Sequence, residues 1–326
     1  MNEIKVRQPT EIAQNVDIMG LVDDWRAHLA LLVDTGEISD NTRSAYQRGW
    51  DKFLSWVMNQ DINQVGADDI RGWLRYLKQE KGYRPNTVNA WLAGVRSFFS
   101  WAVGSRRLLH NPTEGVRGAK RKGTSKTHKR SVLTNAEIRR VLAQPDRETD
   151  QGKRDFAIMT IMAYTAARTI EIHRADLADL ETQNDHLVLF VQGKGDEETG
   201  DFIVISHPEA ENAVYDWLSV RGNSPGPLFT SLSNRAKGGR LSLKSVRRMV
   251  KGYYKAAGVQ DNGKKTTHSL RHTAITNAVL HGAPVHKVKS MARHASIETT
   301  MIYYHEVDRL EDPAEGYIDY NNGNGN

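Results

Sequence analysis

Several polar groups stand in this chain at points where apolar periodicity would not ask for them. Arg168 closes an apolar run in TAARTIEI, and Lys194 sits in GKGDEETG. His268 and Arg271 share HSLRH, His294 lies in MARHAS, and Tyr303 and Tyr304 stand side by side in TTMIYYHEV. Each alone has an ordinary explanation, such as a helix-end arginine bonded to carbonyls or a lysine solvated at a turn. Brought together, they fit one chemistry. Arginine forks match the two non-bridging oxygens of a phosphodiester. A pentacoordinate phosphorane carries extra negative charge there, so the same arginines favour the transition state over the ground state. A tyrosine can attack phosphorus and hold it covalently. Its phenol, with a pKa of about 10, needs help to lose its proton. A histidine can accept that proton, and a lysine can protonate the leaving oxygen. The cations are side chains, so the scheme calls for no metal and no cofactor. Successive helical residues point about 100° apart, so Tyr303 and Tyr304 cannot both face one site.

The bulk composition leaves room for this chemistry. The chain has 326 residues, enough for two domains, with 39% apolar residues and seven tryptophans to build cores. Its net charge of +6 is a mild pointer to a polyanionic partner. The absence of cysteine excludes disulfides, thiolate zinc sites and a cysteine nucleophile. The start, MNEIKVRQPTEIAQ, has no apolar signal core, and apolar runs such as FAIMTIMAY are too short to span a bilayer. The expectation is a soluble, cytoplasmic protein with no membrane partner.

The elements that must position these groups are mostly helical. Residues 1–20 show no period and read as a loose tail. Four helical segments follow in residues 21–116, with Leu21, Trp25, Leu29 and Leu32 on one stripe and Ser39, Asp40 or Asn41 as a cap for the second. The second and fourth segments share residues at an offset of 45: Asn41, Thr42, Ala45, Gly49, Phe53, Ser55 and Trp56 recur as Asn86, Thr87, Ala90, Gly94, Phe98, Ser100 and Trp101. Two such helices can solve the same packing problem, small residues allowing close approach and aromatics filling the core. Their exposed faces carry Arg43, Arg48, Lys52 and Arg96, candidates for DNA contact. Residues 117–131 read as a basic interdomain linker. Between Val116 and Thr134 there are seven Lys or Arg and no acid, and Lys120, Arg121, Lys122, Lys126, Lys129 and Arg130 are candidates to lie along phosphates. Residues 132–305 read as an α+β domain. Thr134 or Asn135 caps its first helix, HLVLFVQGKGDEETGDFIVIS alternates as a hairpin, and helices follow. Residues 306–326 form an acidic tail ending in NNGNGN.

Residues 21–305 resemble a tyrosine recombinase of the integrase family, the group that includes phage integrases, Xer recombinases and Cre. The resemblance is carried by TAARTIEI, GKG in a hairpin, HSLRHTAIT and RHASIETTMIYYH, in that order, with a tyrosine nine residues after His294. It implies a mainly α architecture: a four-helix, SAM-like core-binding domain and an α+β catalytic domain with a small antiparallel sheet, closing on DNA as a C-shaped clamp. It implies that Arg168 and Arg271 hold the scissile phosphate, Lys194 is the general acid, His268 assists proton transfer, His294 bonds a phosphate oxygen and Tyr303 attacks. Glu171 matches a supporting acidic position. The product would be a 3′-phosphotyrosyl link and a free 5′ hydroxyl, formed without metal or ATP. Implied partners are duplex DNA with inverted-repeat sites and, on synapsed DNA, three further copies of the chain, with a monomer or weak oligomer otherwise. The implied place is the nucleoid of a prokaryote, and the implied task is integration, excision or dimer resolution. The tail from residue 306 would dock on a neighbouring protomer.

Two departures stand out. Where the family has glycine in its TGLR motif, this chain has Ala166 and Ala167. Where it has Leu-Gly before the second histidine, this chain has Ala292 and Arg293, and Arg293 reads as an added phosphate contact. Helical spacing places Ile297, Met301 and Tyr304 on an apolar stripe, which makes Tyr304 the packing residue and Tyr303 the exposed one. The nearest rival is a type IB topoisomerase, which uses a similar residue set. A silent DNA-binding regulator on the same fold would have no need of the tyrosine. A zinc hydrolase could use His268 and His272 on one helix face with His281 and His286 nearby, but HSLRH lacks the glutamate of HExxH. His272 then reads as a packing or hydrogen-bonding residue.

Overall fold

The computed structural model describes residues 17–57, 60–120, 132–191, 200–260, 263–311 and 313–317. The chain forms two compact units, one up to Thr124 and one from Ser125.

The first unit is a set of four helices: α1 (Ile18–Asp34), α2 (Asp40–Leu54), α3 (Ala67–Arg75), which ends in a π-helical turn at Tyr76–Glu80, and α4 (Pro85–Gly104). Ser39 caps α2 by accepting from the Thr42 N–H, and Pro85 opens α4 where no backbone donor is needed. The 45-residue repeat has a physical basis in the crossing of α2 and α4. A Cβ on Gly49 would lie 2.4 Å from the Trp91 carbonyl oxygen, and one on Gly94 would lie 2.2 Å from that of Tyr46. Tyr46 and Trp91 are themselves 45 apart, so each helix presents the same glycine notch to the same backbone position of the other. Trp25, Trp50, Phe53, Trp73, Phe98 and Phe99 fill the core around this crossing, with the Trp50 and Phe98 rings stacked at 3.6 Å. Past α4 the chain is tied back onto it. Asn89 exchanges two hydrogen bonds with the Ala119 backbone, and Arg96 donates to the Val116 carbonyl at 2.5 Å.

The second unit packs helices around a three-stranded antiparallel sheet of order β1-β2-β3, formed by Leu180–Gln183, His186–Val191 and Asp201–Ile205. The hairpin expected from sequence is β2 and β3. β1 escaped it because LETQ has no apolar alternation and is largely exposed. Thr134 and Glu137 form a reciprocal cap on α5 (Asn135–Leu142). The apolar helix α6 (Asp150–Thr165) runs through the centre, and α7 (Thr169–Arg174) follows a sharp turn at Ala166. Helices α8 (Pro208–Arg221), α9 (Leu243–Ala256), α10 (Thr267–Leu280), α11 (Val285–Ala292) and α12 (Ile297–Glu311) complete the unit. Among the described residues, no helix is long and apolar enough to cross a membrane.

Helix α10 is buried over most of its circumference, which fixes the direction of its polar side chains. Thr169 donates to Thr267 at 3.0 Å, tying α7 to α10, and the Leu133 N–H donates to Thr273 at 2.8 Å. A small separate core forms beside it from Ala166, Ala274, Ile275, Val279, Val288, Ala292 and Tyr303. It joins the ends of α6 and α11 to the middles of α10 and α12, and the sequence-predicted groups lie around it.

Candidate active site

Two left-handed turns set the geometry. Ala166 ends α6 at φ 55°, and Arg293 ends α11 at φ 51°. Both are positions where non-glycine residues carry strain. They are also the positions where glycine was expected from the family pattern, so the turns persist without it. Arg271 joins them: its Nη1 donates to the Ala166 carbonyl at 2.5 Å and its Nη2 donates to the Ala292 carbonyl.

Arg168 begins α7, with its backbone N–H bonded to the Glu171 carboxylate at 2.6 Å. Its Nη1 donates to Glu171 Oε1 at 2.7 Å and its Nη2 to the Arg293 carbonyl at 2.6 Å. The side chain keeps 33% of its surface exposed, which leaves it open to a ligand. Glu171 is buried between two guanidiniums, because Arg293 reaches it through Nε at 3.2 Å and Nη2 at 2.8 Å. Burial alone would raise the Glu171 carboxyl, but Arg293 and Arg168 together outweigh it and hold it below the usual range. Arg271 shows the converse. Burial and then the neighbouring Arg168 and Arg293 cations lower its pKa to about 10, so it stays charged at neutral pH. Three guanidiniums thus gather around one carboxylate, and the surplus of positive charge makes this an anion site.

Arg293 departs from the expectation that it contacts phosphate. Its side chain is only 3% exposed and turns inward to Glu171 and the Met291 carbonyl. The buried Glu171 carboxylate captures the guanidinium.

The two tyrosines also depart from expectation. Tyr303 is 2% exposed and lies in the small core, while Tyr304 is half-buried at its edge with its hydroxyl donated to the Ala283 carbonyl. Ile297, placed on the packing stripe from sequence, is 43% exposed. The inward face of α12 is marked instead by Thr300, which is fully buried because its hydroxyl bonds His294 Nδ1 at 2.9 Å. A polar residue satisfied this way gives no apolar signal, so the stripe was drawn one position off. Burial pushes the Tyr303 phenol up to about 12; Arg271 pulls it down and Glu306 adds to the rise.

The Tyr303 hydroxyl is hydrogen-bonded to His272 Nδ1. The His294 ring lies nearly parallel to the Tyr303 ring, 6.2 Å between centroids. His268 is half-buried one turn before His272 on α10. Arg168, Glu171, Arg271, His294 and Tyr303 therefore form one connected neighbourhood, to which the structure adds His272 and Thr300. Lys194 lies outside the described residues, as do Arg121, Lys122, Lys126, Lys129 and Arg130; Lys120 is exposed. Arg43 pairs with Asp40 at 2.7 Å, Lys52 sits 6.0 Å from the Trp91 ring, and Arg48 is exposed. A basic face missed from sequence runs along α9, where Lys244, Arg247, Arg248, Lys251 and Lys255 are all exposed and the helix holds no acid. That spacing was legible in SLKSVRRMVKGYYKAAG.

Comparison with known proteins places this arrangement. Residues 131–309 match the phage integrase family and residues 25–105 match the phage integrase N-terminal SAM-like domain. The chain belongs to the phage integrase family. The tyrosine recombinase XerD of Listeria monocytogenes is 30% identical over 296 residues, covering 86% of this chain and 93% of the relative. XerD of Listeria innocua is 29% identical over 304 residues, covering 90% and 96%. Among solved structures, the XerH site-specific recombinase bound to a palindromic difH substrate in a post-cleavage complex superposes with a TM-score of 0.69 at 18% identity, covering 93% of this chain and 90% of that one. A lambda integrase tetramer bound to a Holliday junction superposes at 0.67 with 17% identity, covering 89% and 78%. As a phage integrase family member of this kind, the chain is a tyrosine-type site-specific DNA recombinase.

Proposed function

We propose that this recombinase cuts and rejoins duplex DNA through Tyr303, with Arg168 and Arg271 as the phosphate grip. The observation that carries the proposal is the surplus cation cluster beside a single buried phenol. Arg168 and Arg271 each spend N–H groups on the protein's own oxygens, which fixes the planes of both forks. Their remaining N–H donors serve the non-bridging oxygens of the scissile phosphate. Tyr303 Oη forms the bond to phosphorus as the bond to the 5′ oxygen breaks. The phenol proton passes to an imidazole. His272 Nδ1 is already on that hydroxyl and accepts in the tautomer protonated at Nε2, and His268 assists from the same helix. Lys194 delivers a proton to the leaving 5′ oxygen, and His294, its ring fixed by Thr300, bonds a phosphate oxygen. A 5′ hydroxyl from a partner duplex reverses the step.

The burial of Tyr303 means that this conformation holds the nucleophile away from solvent, and α12 must shift when DNA is cut. The exposed cations of α9, with Arg43, Arg48, Lys52, Arg96 and the basic linker, supply the phosphate contacts on which the two units would close as a clamp. Inverted-repeat sites fit the palindromic difH substrate of the XerH complex, and a tetramer on synapsed DNA fits the lambda integrase tetramer on a Holliday junction; with DNA as substrate, the enzyme would act at the nucleoid. The tail from residue 306, whose first residues continue α12 to Glu311, would dock on a neighbouring copy.

The test is a nicked duplex carrying a site selected from host DNA by binding affinity alone. Wild type should form a complex that survives a denaturing gel, and Tyr303→Phe should form none while binding the DNA equally well. Tight binding by wild type with no covalent complex would leave a DNA-binding regulator. Relaxation of plasmids without site preference would leave the topoisomerase alternative.

A further inference from the structure

The arginine at the second left-handed turn is not used by the mechanism above, yet it occupies its centre. Arg293 stands at φ 51°, where glycine would be relaxed, and its side chain is 3% exposed. It touches the phosphate grip twice. Its guanidinium makes two bonds to Glu171, the carboxylate that also holds Arg168, and its carbonyl accepts from Arg168 Nη2 at 2.6 Å. The preceding carbonyl, Ala292, accepts from Arg271. One turn, Ala292–Arg293, thus holds both forks.

The charge count gives this a consequence. Arg168, Arg271 and Glu171 alone would present a net charge of +1; Arg293 raises the cluster to +2. Glu171 is needed to fix Arg168, but its negative charge opposes the phosphate that Arg168 must hold. A buried cation behind the carboxylate cancels that opposition without competing for the substrate. Resting on the phosphate-grip reading, we infer that Arg293 is a positioning residue that neutralises Glu171 from behind, so that Arg168 meets the phosphorane with its full charge. A strained backbone at a buried cation is what such a role leaves in the fold, since the same turn with glycine would be easier to build.

The measurement is single-turnover formation of the covalent protein–DNA complex on the nicked duplex, with a normal scissile phosphate and with a methylphosphonate, which lacks one negative oxygen. Arg293→Met should slow cleavage of the normal substrate by about 10- to 100-fold, below the roughly 100- to 1000-fold of a donor that touches the developing charge, because Arg293 acts through Glu171. DNA affinity should stay within about threefold. On the methylphosphonate the loss should shrink to under about threefold, because less charge develops there. Arg293→Lys should recover part of the rate. That variant keeps a cation behind Glu171 and leaves the carboxylate that holds Arg168 in place, so it keeps the test open if Arg293→Met folds poorly. An equal loss on both substrates, or no recovery with Arg293→Lys, would overturn the inference and leave Arg293 as a packing residue. A wild type that forms no covalent complex would instead overturn the cleavage reading beneath it.

Discussion

The contact between His272 and Tyr303 makes a prediction with a definite size. Tyr303 is 2% exposed, and its hydroxyl is hydrogen-bonded to His272 Nδ1. His272→Ala should remove that hydrogen bond from a protein interior, at a cost of about 1–2 kcal/mol. Tyr303→Phe removes the hydroxyl itself, and the half-buried His272 ring can find water, so the cost should be nearer to about 1 kcal/mol. In a Tyr303→Phe background, His272→Ala should cost only its packing. The double-mutant cycle should therefore show a coupling of about 1–2 kcal/mol. Calorimetry can follow the catalytic unit as its own transition, in which about 1 kcal/mol corresponds to a shift of roughly 2–4 °C. A coupling under about 0.5 kcal/mol would refute the reasoning, because the two groups would then be neighbours without a bond that matters. The same phenol has a pH signature. Its pKa rises from 10.0 to about 12, so the stability it lends is fully present below pH 10 and is lost as pH climbs through 12. Two units correspond to about 2.7 kcal/mol at most. Wild type should lose this increment relative to Tyr303→Phe in strong alkali, and the difference spectrum of the two proteins should titrate near pH 12. A difference titration near the ordinary phenol value would show that Tyr303 is not buried in solution.

Other outcomes follow from separate parts of the fold. Tyr304→Phe should keep covalent attachment, since its hydroxyl serves the Ala283 carbonyl; loss of the complex would reassign the nucleophile. Gly49→Ala should destabilise the helical unit by about 2 kcal/mol in urea unfolding, although alanine is the better helix former, because its methyl meets the Trp91 backbone; a gain in stability would refute the notch. Arg247→Glu with Arg248→Glu should weaken DNA binding and flatten its salt dependence by roughly one unit of slope per lost phosphate contact; an unchanged slope would remove α9 from the interface. Deleting residues 312–326, beyond the end of α12, should leave single-site binding intact and reduce synapsis in gel-shift assays of paired sites; unchanged synapsis would dispose of the docking role.

Much of this was legible in the residues, and the parts that were not share a cause. The four helices of the first unit, the Thr134 cap and the β2–β3 hairpin all follow from local signals: caps, apolar period and turn residues. The polar groups around the small core could be assembled from their types and order. What sequence misjudged was direction. Thr300 is buried because one hydrogen bond to His294 satisfies it, and no periodicity analysis credits a threonine with that bond. Arg293 faces inward because a carboxylate 122 residues earlier in the chain awaits it. β1 pairs because β2 offers it an edge, and LETQ itself has little preference. Local pattern decides which elements form, while the facing of a polar side chain depends on partners far along the chain.

The two left-handed turns draw these strands of the site together. A turn at Ala166 or at Arg293 costs on the order of 1–2 kcal/mol without glycine. Each turn frees a carbonyl that points into the site rather than into a helix, and Arg271 binds the Ala166 carbonyl together with that of Ala292, next to Arg293. The arginine offsets the strain of the turns, and the turns in turn fix the plane of the arginine. Neither would hold its geometry alone. A buried guanidinium without those oxygens would be a costly unpaired charge, and the second turn would lose the donor to its Ala292 carbonyl. The order of the proposed phosphate grip is therefore a property of the folded unit, and Tyr303, the proposed nucleophile, is buried on a helix that packs against the same small core.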